Sequence, residues 1–369
     1  MPTMPTKIRI LCCDGGGMRG LLTILLLEAL EQELDRLRPG TKVRDVFHFF
    51  AGTSTGSLIA CGLAKGLTLE KLRNLFENQG TKIFETFGLR FYFKTLLRSL
   101  YNFRLSQPLF SPSGLESVLR AEDVFPDHFL FSDLPKPVLV ISYDGYNRKG
   151  VVFTSSGTSA EKFSQLPLWQ VCRSSSAAPV AFPSFLLKNT VFLQNHRSSP
   201  QLEGDLDRSQ TPDMIPMIDG GMMANNPSLC AIAEVLEEHG DIKLEQQLLV
   251  SFGTGQTNDR ITPMQGRLWG ALDWSSLVKG IPIYQVCADG SADLFDFICN
   301  ALLKDNYYRF QPIIDKNASV FQADRRSLYL IKQSADRYLI SGGRDKLRIL
   351  AKRLIVEMGY PDDGSRLVA

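Results

Sequence analysis

The sequence predicts an α/β fold with a mainly parallel central sheet, and three observations carry that prediction. A short apolar run, "KIRILCC" (7–13), passes through a glycine loop into "LLTILLLEALEQELDRLRPG" (21–40), where the apolar residues recur at helical spacing. A second apolar run, "DVFHFFAGTSTG" (45–56), passes through a glycine-flanked turn into "SLIACGLAKG" (57–66), a helix of small residues that permits close packing. Further short apolar runs recur along the chain, separated by helical stretches. Strand, helix, strand, helix is the pattern of parallel strands joined by helical crossovers.

Taken in order, the first strand is short, apolar and partly β-branched, as a buried strand should be. The helix from Gly20 gains charge as it leaves the core and is ended by Pro39-Gly40. Further strands are expected at 137–144, 151–156, 214–219 and 247–255, and helices at 165–178 and from Pro227 to His239. The polar stretch 194–213 reads as a long exposed loop. Beyond residue 256 the text is mostly helical and ends in the amphipathic "GRDKLRILAKRLIVEMGY". No linker stands out. Residues 7–230 are read as the core carrying the motifs, and 231–369 as the rest of the same globule with a C-terminal helical extension.

Composition narrows the function. The 369 residues are 44% hydrophobic and 22% charged, with a net charge of +2. That balance lacks the basic excess of a dedicated nucleic-acid binder. Seven cysteines form no CxxC pair, so they read as reduced core residues and not as zinc ligands. The apolar stretch before Asp14 is too short for a secretory signal. The longest uncharged run, 46–64, is broken by Gly, Thr, Ser and His, so no membrane span is expected. The expected location is the cytoplasm, with peripheral contact to membranes.

"DGGGMRG" (14–20) satisfies the GxGxxG spacing of a dinucleotide site. That reading also needs an acid at the end of the next strand, to hold a ribose hydroxyl. The next strand ends in Gly52, Thr53 and Ser54, and the cofactor reading fails there. What ends it is "GTSTG" (52–56), a G-x-S-x-G turn in which Gly52 and Gly56 leave room and Ser54 stands exposed at a helix N-terminus. A nucleophilic serine needs a base. His48 lies beside the turn in an extended chain, His239 sits at a helix end, and His128 and His196 lie in loops. Each reads as structural or solvated. "MIPMIDGGMMANNP" (214–227) instead places Asp219 at the end of an apolar strand, before two glycines. Carboxyl ends of parallel strands converge on one crevice, which would bring Ser54 and Asp219 together.

These pieces together resemble the patatin-like phospholipases: "DGGGMRG" (14–20), "GTSTG" (52–56) and "DGG" (219–221), in that order. "SSSAAP" (174–179), "ANNP" (224–227), "SFGTG" (251–255) and "NYYRFQP" (306–312) are secondary matches. The resemblance, to a bacterial member of the family, spans about residues 7 to 312. It implies a three-layer α/β/α sandwich and lipid acyl hydrolysis by a Ser-Asp dyad, without cofactor, metal or histidine. Carried over, Ser54 is the nucleophile and Asp219 the base. Gly15, Gly16 and Gly17 supply N–H groups to the oxyanion, with Arg19 fixing the loop or aiding the charge. The implied partner is a phospholipid surface. One candidate for meeting it is "GLRFYFKTLLRSLYNFR" (88–104), in which Arg90, Lys94 and Arg98 share a helical face. A cap helix over the core is the equal alternative for that stretch. A regulated effector of the same fold, silent until a partner or small nucleotide assembles it, is the alternative function. Hydrolysis without additive separates the two.

Overall fold

The computed structural model describes residues 7–84, 107–188, 213–276 and 280–360. Its centre is an eight-stranded sheet: β1 (Ile8–Cys13), β2 (Phe49–Thr53), β3 (Val138–Asp144), β4 (Lys149–Thr154), β5 (Phe185–Leu187), β6 (Ile215–Asp219), β7 (Gln247–Phe252) and β9 (Tyr307–Phe310). Strands β3, β2, β1, β7 and β9 lie side by side in that order and are parallel. A small parallel pair, β8 (Gln256–Thr257) and β10 (Ile313–Ile314), stands apart from it.

Alternation along the buried strands puts side chains on both faces, and each face has its own core. Leu11 and Cys13 of β1, Phe50 of β2 and Val140 of β3 pack on one side. The helices there are α1 (Gly20–Leu37), α2 (Thr55–Lys65), α3 (Leu69–Ile83), α4 (Pro112–Leu119), α5 (Leu168–Ser175), α8 (Arg325–Tyr338) and α9 (Arg344–Glu357). Ile10 and Cys12 of β1, Ala51 of β2 and Ile141 of β3 pack on the other side against α6 (Ser228–Glu238) and the far end of α7 (Pro282–Leu303). The result is three layers, α/β/α. Strands buried on both faces read as continuous apolar runs, which is why "KIRILCC" shows no polar alternation. Each fully buried Leu or Ile contributes about 1.5–3 kcal/mol of burial.

The sheet is less uniformly parallel than the strand–helix alternation suggests. β4 and β6 are antiparallel to β3, and β5 is antiparallel to β6. β3 explains the consequence. Its residues 139–144 pair with β4 on one edge, while β2 takes residues 138–141 and β6 takes residues 142–144. Both of the latter overlap β4 in register, so β2 and β6 share the opposite edge of β3 and run toward each other. Thr53 pairs with Ile141 and Asp219 with Ser142. The two strands therefore end head to head, one residue apart along β3. The convergence expected of parallel strand ends is corrected by this: Asp219 arrives from the opposite direction.

β7 and β9 belong to the same sheet as β1 to β6, so residues beyond 230 complete the central layer. Among the described residues no helix is long and apolar enough to cross a membrane. The stretch 88–104, with Arg90, Lys94 and Arg98, lies outside the described residues, as do His196 and most of the polar stretch 194–213.

Candidate active site

Ser54 sits between β2 and α2 with φ 54° and ψ −122°, a backbone conformation that a side chain rarely adopts. Strain of this kind costs on the order of 1–3 kcal/mol and persists only where the surroundings hold it. Here they do. Ser54 N donates to Ser175 Oγ at 2.7 Å, and Ser54 O accepts from Ser57 N at 2.9 Å and Ser57 Oγ at 2.6 Å. A Cβ at Gly56 would collide with the Cys13 carbonyl, and one at Gly52 with the Gly56 carbonyl. The first turn of α2 therefore lies directly on the ends of β1 and β2, which only glycine allows.

The head-to-head strands deliver Asp219 to Ser54. Ser54 Oγ donates to Asp219 Oδ2 at 2.8 Å, across 165 positions of sequence. The other carboxylate oxygen, Oδ1, accepts from Gly221 N at 2.7 Å, and Asp219 N donates to Ala177 O at 3.1 Å. Asp219 is fully buried. Burial pushes its carboxyl up to about 7, against the opposing effects of the Gly221 N–H, Ser54 and the Arg173 charge. Arg173, itself buried, spends its guanidinium on Glu116 at 3.2 Å and the Pro183 carbonyl at 3.0 Å.

The glycine loop passes in front of Ser54. A Cβ at Gly15 would stand 3.2 Å from Ser54 Cβ. Gly15 N donates to Asn225 O at 3.1 Å, and Gly15 O accepts from Thr254 Oγ1 at 2.7 Å. The N–H groups of Gly16 and Gly17 find no acceptor among the described residues. Gly17 has φ 55°, which turns the chain into α1. Arg19 does not point a free guanidinium at the serine; its Nε donates to Ala318 O at 2.8 Å. Burial lowers it to about 10, opposed by Asp289. Asp14, at the head of the loop, takes a two-pronged bond from Arg309, at 2.9 Å and 2.6 Å.

Ser54 and Asp219 open onto a narrow cavity. Its other walls are largely apolar, among them Met18, Leu58, Phe76, Phe84, Phe182 and Phe321. Such a space binds hydrocarbon, with a few polar groups to orient it. One of those groups is Tyr284 near the start of α7. It is buried, and it lines the cavity together with Ser54 and Asp219. The hydroxyl also stands 2.9 Å from where a Gly221 Cβ would be. Burial raises its ionisation well above the ordinary tyrosine range, and the Asp219 charge adds to that.

Ser175, Asn225, Thr254 and Arg309 all support the site from segments that the sequence marks only weakly: "SSSAAP", "ANNP", "SFGTG" and "NYYRFQP". Tyr284 carries no such mark. His48 belongs to another network, accepting from Arg9 N at 3.1 Å and contacting the Arg9 guanidinium at 2.9 Å. Burial and the Arg9 and Lys136 charges lower it to about 4. All seven cysteines are free thiols, five of them buried.

Residues 11–232 match the family described as patatin-like phospholipase. The chain is 28% identical over 367 residues to patatin-like protein 2 of Arabidopsis thaliana, covering 92% of this chain and 84% of that protein. It is 28% identical over 265 residues to the intracellular phospholipase A2 of Caenorhabditis elegans, covering 68% of this chain and 20% of that one. Among solved structures, VipD from Legionella pneumophila aligns over 98% of this chain and 82% of its own, at 13% identity and a TM-score of 0.37. The chain belongs to the patatin-like phospholipase family and is, in general terms, a lipid acyl hydrolase.

Proposed function

We propose that the chain is a calcium-independent serine esterase that removes fatty-acyl chains from phospholipids through an acyl-enzyme on Ser54. The observation that carries this reading is the 2.8 Å bond from Ser54 Oγ to a fully buried Asp219, at the floor of an apolar cavity. The acyl chain lies in that cavity with its ester carbonyl over Ser54. Ser54 Oγ attacks the carbonyl carbon while its proton passes to Asp219 Oδ2. A carboxyl near 7 is far better matched to this work at neutral pH than an ordinary aspartate.

The oxyanion that forms is received by Gly16 N and Gly17 N. Gly15 is reassigned: with its N–H already given to Asn225, it positions the loop and does not donate. One such donor is typically worth about 2.7–4 kcal/mol of transition-state stabilisation. Arg19 ties the loop to Ala318. Tyr284 donates to Ser54 Oγ and stabilises the charge that grows there as the proton leaves. The intermediate then collapses: the ester C–O bond breaks, and the departing alkoxide takes the proton from Asp219. Water repeats the sequence on the acyl-enzyme, losing a proton to Asp219 and releasing the fatty acid and Ser54. Every proton has a residue to hold it, so no metal is needed. Because Ser54 and Asp219 are already hydrogen-bonded within the single chain, this reading is favoured over an effector that waits for assembly.

The test is hydrolysis of phospholipid vesicles with chelator present, for the wild type, Ser54→Ala and Asp219→Asn. Activity in the wild type that disappears in both variants is expected, together with fluorophosphonate labelling that is lost in Ser54→Ala. Activity that survives Ser54→Ala, or that requires calcium, overturns the reading.

A further inference from the structure

Asn225 enters the catalytic centre from the turn between β6 and α6. Its backbone is held on both sides: Asn225 O accepts from Gly15 N at 3.1 Å, and Asn225 N donates to Ser291 Oγ at 3.2 Å. The residue is only 7% exposed, and its side-chain amide lies between the glycine loop and Gly221. Nδ2 donates to Gly15 O at 3.4 Å. Turning the amide over would set two carbonyl oxygens face to face, so Oδ1 is the atom turned away from the loop carbonyl. Oδ1 is buried and accepts no hydrogen bond among the described residues. A buried acceptor without a donor is costly, and in a catalytic centre it calls for a ligand that donates.

The place it faces lies beside both Ser54 and Asp219. Around the point where a Gly221 Cβ would stand, three oxygens from separate elements gather: Tyr284 Oη at 2.9 Å, Asp219 Oδ1 at 3.0 Å and Asn225 Oδ1 at 3.1 Å. On the other side, a Cβ at Gly15 would stand 2.3 Å from Asn225 Oδ1 and 3.2 Å from Ser54 Cβ. The cavity that takes the acyl chain is largely apolar and offers a water molecule little to bond. Polar atoms beside Asp219 therefore decide where an attacking water is held.

Water differs from every alcohol in carrying two hydrogens on its oxygen. When it attacks the acyl-enzyme, one passes to Asp219 and the other stays behind, needing an acceptor in a buried site. We propose that Asn225 Oδ1 is that acceptor, and that it makes water, rather than an alcohol, the preferred acceptor of the acyl group. The water oxygen bonds the carbonyl carbon, one proton goes to Asp219, and the second hydrogen remains donated to Asn225 Oδ1. The tetrahedral intermediate then expels Ser54 Oγ, which takes the proton back from Asp219 and releases the free fatty acid. An alcohol gives its one hydrogen to Asp219 and leaves Asn225 Oδ1 facing an alkyl group. The proposal rests on the acyl-enzyme reading of Ser54 and names what decides the fate of that intermediate.

Asn225→Leu and Asn225→Ala test it, since both keep the backbone bonds to Gly15 and Ser291. Each is given p-nitrophenyl butyrate in buffer containing methanol, and butyric acid and methyl butyrate are measured side by side. Their ratio reads the acyl-enzyme alone, whichever step limits the overall rate. Thr254→Val is the comparison, because it removes a different bond to the same loop, from Thr254 Oγ1 to Gly15 O. The ester-to-acid ratio is expected to rise about tenfold in both Asn225 variants and to stay at the parental value in Thr254→Val. Mass spectrometry of the intact protein should also show the butyryl group retained longer on Ser54 in the Asn225 variants when methanol is left out. A ratio that is unchanged, or that shifts equally in Thr254→Val, overturns the proposal. So does a folded Asn225 variant that no longer takes up the butyryl group, since Asn225 then serves the first half-reaction. A parent that forms both products without ever carrying butyrate on Ser54 strikes the Ser54 reading itself.

Discussion

Asp14 and Asp219 begin as near twins. Asp219 ends a strand of the central sheet and Asp14 directly follows one, each is followed by at least two glycines, and each is buried. Burial raises both carboxyls. Their partners then separate them. Asp14 faces the Arg309 guanidinium in a two-pronged ion pair, which also reaches Ser251 Oγ at 2.7 Å. Asp219 faces a hydroxyl and a backbone N–H, and Arg173, which acts on it through space, bonds Glu116 and the Pro183 carbonyl instead. An acid locked to a cation is a clamp. An acid left with weak partners near neutrality can take a proton and return it. The same dipeptide start therefore yields a structural anchor for the glycine loop in one place and a candidate base in the other.

Exchanging each acid for its amide gives the largest expected contrast. Asp219→Asn should lower vesicle or ester hydrolysis by about 10⁴-fold, because the amide cannot accept the serine proton. Asp14→Asn should retain most of the chemistry, losing about tenfold as the loop that presents Gly16 and Gly17 loosens. Steady-state rates with both variants at saturating substrate decide this. Equal losses would mean that the two carboxylates act as one unit.

Stability should move in the opposite sense. Asp14→Asn takes the two-pronged partner from a buried guanidinium and leaves it only Asp296 at 3.9 Å, at a cost of up to about 3–5 kcal/mol. Asp219 has a folded-state value near 7 against an ordinary 3.8, so the folded protein holds the extra proton between those pH values. Its ionisation destabilises the fold progressively as pH rises through that window, by at most about 4 kcal/mol above it. Asp219→Asn removes that cost. Thermal melts at pH 8 should place this variant above the wild type and Asp14→Asn below it, with the gain from Asp219→Asn shrinking toward pH 4. A destabilised Asp219→Asn at pH 8 would mean that the carboxylate is held by partners better than its geometry indicates.

The same value fixes the acid side of the rate profile. A base must be unprotonated, so kcat/KM should fall with unit slope below about pH 7. At pH 5 that is about a hundredfold. An acid limb centred near 4 would show that the Asp219 carboxyl is not held up by burial in the free enzyme.

The contrast between the two aspartates was half visible in the sequence. The ordered triple of glycine loop, Ser turn and DGG located Ser54 and Asp219, because tight backbone contacts demand glycine and glycine leaves a legible pattern. The strand–helix alternation gave the crossover-connected sheet for a similar reason, since strands buried on both faces must be apolar throughout, while the three layers came from the family resemblance. The antiparallel arrival of β6 left no such trace. A five-residue strand reads the same in either direction, and only its register on β3 shows that it meets β2 end to end. Arg309 and Tyr284 were harder still. An arginine 295 positions from its partner, or a tyrosine in an apolar helix, satisfies no local rule. Distant packing alone gives each of them its place.

Tyr284 supplies the smallest expected effect and the finest test of why the two acids differ. Asp14 is bonded to a full positive charge, whereas Asp219 accepts only from Ser54 Oγ and the Gly221 N–H, with the Tyr284 side chain in the same cavity wall. Removing the Tyr284 hydroxyl with Tyr284→Phe keeps the ring in the cavity wall and deletes the bond proposed to form to Ser54 Oγ as its proton leaves. A loss of about 5- to 30-fold in kcat is expected, with KM little changed. The Asp219 limb of the pH profile should stay near its place, because burial and not Tyr284 sets most of that shift. If kcat is unchanged while KM rises, the hydroxyl orients substrate and does not touch the charge on Ser54 Oγ. In that case the serine loses its proton with help from Asp219 and the loop alone, and the difference between the two aspartates reduces to the presence or absence of a cation.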